Sequence, residues 1–83
     1  MKMEINVLET PILYTVYDHP SDYPNEFVCR RFAIGSNGQQ LVEIGEPFAR
    51  AKTLDRLRAM LPLGLYPLPR EEGDDPVIVE TWI

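Results

Sequence analysis

Asp18 and His19 stand side by side in the segment YTVYDHPSDYPNEF, residues 14–27, and Asp22 and Glu26 follow within eight residues of Asp18. An imidazole among carboxylates is a donor set for a divalent cation, and a histidine oriented by a carboxylate is a general base. Arg30 and Arg31 come next in the chain, and a guanidinium fork binds a carboxylate or a phosphate. The same segment is also rich in turn formers. Asp18, Ser21, Asp22 and Asn25 can each hydrogen-bond their own backbone two residues on, and Pro20 and Pro24 hold φ near about −65°. Turn chemistry is the simpler account. A hydrolytic metal site gathers ligands from several elements, whereas the other acidic cluster here is EEGDD, residues 71–75, far away in sequence. The residues singled out for binding are therefore Asp18, His19, Asp22, Arg30 and Arg31. No catalytic set, metal set or cofactor is expected.

Composition narrows the classes further. A chain of 83 residues makes one domain and buries only about 60 to 65% of its unfolded surface, so the core is thin and an enclosed catalytic cavity is not expected. A hydrophobic fraction of 45% with 25% charged residues is that of a folded globular protein rather than a disordered one. The single cysteine excludes an internal disulfide, and with a single histidine it cannot form a structural zinc site. Apolar runs are a few residues long, far short of the roughly 20 that span a bilayer, and no charged-then-apolar leader opens the sequence. A cytoplasmic location is expected. Thirteen acidic against eight basic residues give a net charge of −5, which repels a phosphate backbone at long range and argues against nucleic acid as the main partner.

The elements that must position these residues follow from periodicity. Met3, Ile5 and Val7 alternate with polar residues and predict a strand that ends at Thr10-Pro11. Residues 12–17 are β-branched and aromatic on both faces, as in a central strand. Residues 27–34 predict another strand, with Phe27, Cys29, Arg31 and Ala33 on one face and Val28, Arg30, Phe32 and Ile34 on the other. Asn37-Gly38 predicts a tight hairpin returning as a strand over 41–44. Residues 48–52 alternate as a strand does. Thr53 then caps a short helix with Asp55 in its first turn and Leu54, Leu57 and Leu61 on one face, ending before Pro62. The proline-rich stretch 62–76 should wrap the surface, and residues 77–83 form a last strand with Val77, Val79, Thr81 and Ile83 opposite Ile78, Glu80 and Trp82. The fold class expected is α+β: a mainly antiparallel sheet of four to five strands with one short helix packed on one face.

Since Arg30 and Arg31 face opposite ways, one of them points into apolar surroundings or a pocket. Its stem can cover the sheet while its head reaches a carboxylate such as Glu80 or Asp18, or its fork can serve an anion beside His19 and Tyr17. Cys29, between Val28 and Arg30, reads as a small core residue rather than a nucleophile.

The segments YDHPSDYPNEFVCRR, residues 17–31, and LPLGLYPLPREEGDDPVIVETWI, residues 61–83, resemble a family of small bacterial proteins, some of them phage-borne, with a DHPxDxP loop and a DDPxIVExW ending. The resemblance covers about half the chain. It implies a bacterial or phage origin and transfers no catalytic residue. The function expected is that of a non-enzymatic binding or interaction module acting as a homodimer, because one helix leaves a sheet face to cover. The alternatives are a small metal-dependent or acid-base hydrolytic enzyme using Asp18, His19, Asp22 and Arg30, and a nucleic-acid-binding regulator using a patch of Arg30, Arg31 and Arg50. Convergence of His19, Arg30 and the Asp74-Asp75 turn on one surface would favour a site over separate turns.

Overall fold

The computed structural model describes residues 11–34, 41–70 and 72–83. Its centre is β1 (Ile12–Asp18), the middle strand of a six-stranded sheet, as its two-sided apolar sequence requires. β2 (Phe27–Ile34) pairs antiparallel with one edge of β1, placing Val16 opposite Cys29 and Thr15 opposite Arg30. β3 (Leu41–Glu43) and β4 (Ala49–Ala51) share the outer edge of β2. Between them the chain swings out and returns: the Ile44 amide donates to the Arg31 carbonyl at 2.9 Å and the Phe48 amide to the Cys29 carbonyl at 2.8 Å. Gly45, at φ +60, begins that excursion in a conformation that costs a residue with a Cβ.

Helix α1 (Leu54–Ala59) follows directly. Its cap is the one expected, with the Thr53 hydroxyl accepting from the Arg56 amide at 3.2 Å and Asp55 in the first turn. The helix closes on a tightened turn, Met60 donating to the Leu57 carbonyl at 2.9 Å, just before Pro62. β6 (Ile78–Trp82) pairs antiparallel with the free edge of β1, and β5 (Pro67–Leu68) borders β6. Pro67 is tolerated there because Tyr66 and Ile83 exchange both ladder hydrogen bonds, at 2.8 and 2.9 Å, so the next position along needs no donor.

The expected α+β class with a mainly antiparallel sheet and one short helix is what forms, but four to five strands become six. The proline-rich stretch, expected to wrap the surface, contributes a two-residue edge strand, and the strands expected over 41–44 and 48–52 both form, as β3 and β4 on either side of the excursion at Gly45. The expected strand at Met3 to Val7 and the Asn37-Gly38 turn lie outside the described residues. The pairing that turn implies is present, with Ile34 opposite Leu41.

The core holds Val16, Cys29, Ala49 and Leu57, with Tyr14, Phe27, Phe48, Leu54 and Leu61 packed around it. Leu57 is fully buried and is the residue through which α1 meets β2 and β4 rather than the sheet as a whole. β6 departs from strict alternation. The register along β1 shifts between Val16 and Tyr17, so that Val16 faces Glu80 and Tyr17 faces Ile78. The extra residue, Val79, joins Glu80 on the helix side, where it packs against the core. On the opposite face Val28 is fully buried and Thr15 nearly so.

Candidate functional site

The connection over residues 18–26 is a closed loop. The His19 amide donates to the Glu26 carbonyl at 3.0 Å, the Tyr23 amide to the Pro20 carbonyl at 2.9 Å, and the Asp18 amide to the Val77 carbonyl of the neighbouring segment at 2.8 Å. His19 takes a left-handed φ of +50, which histidine tolerates better than a β-branched residue and which reverses the chain after β1. Its ring packs edge-on against Phe27, centroids 5.0 Å apart, and its Nδ1 is hydrogen-bonded to Asp18. This pair could orient the imidazole for proton transfer, but among the described residues the ring hydrogen-bonds to Asp18 alone and to no hydroxyl or thiol. No group of three or more histidine, cysteine or carboxylate side chains there could hold a metal ion either.

Asp22 belongs to the other face of the sheet. Its carboxylate pairs with Nη2 of Arg30, whose Nη1 donates to Glu43 Oε2 at 2.8 Å, and the guanidinium lies 6.0 Å from the Tyr17 ring centre. Arg30 is only 17% exposed, and its bonds to Glu43 and Asp22 raise its pKa further. Burial pushes the Tyr17 hydroxyl above its ordinary value, with Arg30 opposing and Glu43 and Asp75 adding to the rise. The partners of Arg30 are Asp22 and Glu43, not Glu80 or Asp18.

Arg31 lies on the helix side of β2, its guanidinium 5.3 Å from the Phe48 ring centre, while its Nε is buried with no hydrogen-bond partner among the described residues. Cys29 between them is fully buried, and burial pushes its thiol up to about 12, which leaves no thiolate for chemistry. The five residues singled out in the sequence thus divide into three places: Asp18 and His19 at the loop base, Asp22 with Arg30 on one face, and Arg31 on the other.

A second constellation lies where β4 runs into α1. Glu26, Arg50, Lys52, Thr53, Arg56 and Met60 line an open groove together with Ala51 and Ala59. Arg50 is held in place, stacked 4.8 Å from the Tyr23 ring centre and 3.5 Å from Glu26 Oε1. Lys52 and Arg56 have no carboxylate partner among the described residues. Other arginines are engaged: Arg30 as above, Arg58 with Glu80, and Arg70 with the backbone carbonyls of Ile78 and Asp75. Of this groove, sequence reasoning reached Glu26 as a candidate donor, Arg50 in the arginine patch and Thr53 as a helix cap, and missed Lys52 and Arg56. The available signal was ARAKTLDR, residues 49–56, a basic run with Arg50 and Lys52 two apart along a strand, in a chain of net charge −5.

No known protein family, curated protein or solved structure matches this chain. The fold and the groove define an α+β domain with a basic surface cleft, and no helix among the described residues is long and apolar enough to cross a membrane.

Proposed function

We propose that this chain is a non-enzymatic interaction module that holds an acidic segment of a partner protein in the groove between β4 and α1. The observation that carries this reading is the pair Lys52 and Arg56, two exposed cations without carboxylate partners among the described residues, lining a groove beside Ala51, Ala59 and Met60, in an acidic protein. Carboxylates of a partner complete those charges, and the alanines and Met60 bury the stem of its chain. An acidic protein segment suits the groove better than a nucleic acid. Glu26 stands in its wall, the cations are few, and the net charge of −5 opposes a long phosphate backbone.

The module acts in the cytoplasm of a bacterial or phage-infected cell, in keeping with the family resemblance of its loop and ending. It pairs with a second copy through β3, where Leu41 and Val42 are more than half exposed on the outermost strand of the described sheet.

Titration of the 15N-labelled protein with hexaglutamate tests the groove. Shifts at Lys52, Thr53 and Arg56 that approach saturation are expected, with an affinity of millimolar or weaker because exposed pairs contribute only about 0.2 to 1 kcal/mol each. The double variant Lys52→Glu, Arg56→Glu should abolish them without unfolding, since both side chains are exposed. An octathymidylate that binds more tightly than hexaglutamate would transfer the groove to nucleic acid. Silence with both probes would remove it as a site.

A further inference from the structure

We infer that the acidic segment runs on across α1 and lodges an apolar side chain in a notch on the far side, so that the recognised partner carries carboxylates followed at short spacing by a leucine-like residue. This rests on the groove reading above and adds the partner's second feature. The notch is lined by Leu61, Pro62, Leu63, Leu65 and Trp82, with Arg58 at its edge. Its volume of about 270 Å³ lies below the roughly 300 to 1,000 Å³ of small-molecule sites, a size for a side chain rather than a cofactor. Ala59 lines both the notch and the groove, so the two are joined across the last turn of the helix, with half-exposed Met60 beside the crossing.

The chemistry of the two halves differs in a way that selects the occupant. Beside the notch the charges of Arg58 and Glu80 are already paired: Glu80 accepts from Arg58 Nε at 3.1 Å, from Arg58 Nη2 at 2.6 Å and from Trp82 Nε1 at 2.8 Å. A carboxylate entering there would meet a guanidinium already paired with Glu80, whereas an apolar side chain meets Leu61, Leu65 and Trp82. Leu63 is 99% exposed, an apolar surface at the lip of the notch that an occupant would cover. In the groove the reverse holds, since Lys52 and Arg56 lack carboxylate partners among the described residues. The helical rise of about 1.5 Å per residue separates Arg56 from Leu61 by about 7 Å along the axis, and the turn of about 100° per residue puts them on different sides of the helix, so at least two or three extended residues at about 3.3 Å each must link the two halves of the ligand.

Three synthetic peptides test this: Glu-Glu-Glu-Glu-Gly-Ser-Leu, the same with serine in place of leucine, and the leucine peptide with glutamines in place of the glutamates. Trp82, the chain's single tryptophan, reports on the notch by fluorescence, and amide shifts report on the groove. The leucine peptide should bind roughly tenfold or more tightly than its serine counterpart, as burial of one leucine side chain predicts, and it alone of the two acidic peptides should change the Trp82 signal. The exposed-site variant Leu63→Ser should cut that advantage below about threefold while leaving serine-peptide binding in place, since Leu63 lines the notch and not the groove. Equal affinity of the two acidic peptides, with Trp82 unmoved, overturns the notch and leaves the groove standing. Glutamine and glutamate peptides binding alike would overturn the joined site. Failure of both acidic peptides to bind would bring down the groove reading as well.

Discussion

Arg58 of α1 grips Glu80 of β6 with a two-pronged hydrogen bond, Nε at 3.1 Å from Oε2 and Nη2 at 2.6 Å from Oε1, tying the helix to the strand on the far side of β1. Arg58, then Trp82, holds the Glu80 carboxyl below its ordinary value of 4.5 against the opposing effect of burial. A carboxyl whose folded pKa is depressed contributes stability that is complete above the unfolded value and disappears as pH falls through the folded one. The unfolding free-energy difference between the wild type and Glu80→Gln should therefore be steady above pH about 5 and shrink below pH about 4.5. Its size should be at most about 1 kcal/mol, because Arg58 is 46% exposed and the pair is screened. Urea unfolding of both proteins from pH 7 to pH 3 measures this, and a difference independent of pH would mean the pair adds no net stability.

Leu57 is fully buried and central to the only helix described, so Leu57→Ala removes most of what fastens α1 to β2 and β4. The expected cost is about 2 to 4 kcal/mol by denaturant unfolding. A loss below about 0.5 kcal/mol would show that this helix face is not packed in solution. In the same variant the shifts of Lys52 and Arg56 should move together, since α1 carries one wall of the groove.

Cys29 should resist alkylation. With its side chain fully buried and its thiol pushed up to about 12, the folded protein should react with iodoacetamide at pH 8 at least about a hundredfold more slowly than the urea-unfolded chain. Mass spectrometry of timed aliquots gives both rates. Comparable rates would mean that the core around Val16 and Ala49 opens readily.

Self-association through β3 predicts a mass of twice 9.5 kDa by sedimentation equilibrium at hundred-micromolar concentration. Val42→Lys places a charge on that exposed strand and should return the protein to monomer without loss of stability, because Val42 is half exposed already. A wild-type mass of 9.5 kDa throughout the concentration range would remove the dimer.

The amino-acid sequence by itself determined the local features, because each is written in the residues that make it. β-Branched and aromatic residues at 12–17 specify a central strand, alternation at 27–34 sends Arg30 and Arg31 to opposite faces, and Thr53 with Asp55 and Leu57 starts a helix that Pro62 stops. Long-range pairing decided the rest. The register shift between Val16 and Tyr17 brings Val79 and Glu80 to one side of β6, a consequence of what β1 offers as a partner and invisible in the alternation of β6 alone. Arg30 pairs with Asp22 and Glu43 because a loop and a neighbouring strand meet over its face, although Glu80 and Asp18 looked equally suitable in the chain. The candidate site shows the same division. Asp18, His19, Asp22, Arg30 and Arg31 look like one constellation when written in line, yet a closed loop and a two-faced strand part them. Arg50, Lys52 and Arg56 face a common groove only because β4 docks on the edge of β2 and turns at once into α1, and that juxtaposition exists only once the sheet has formed.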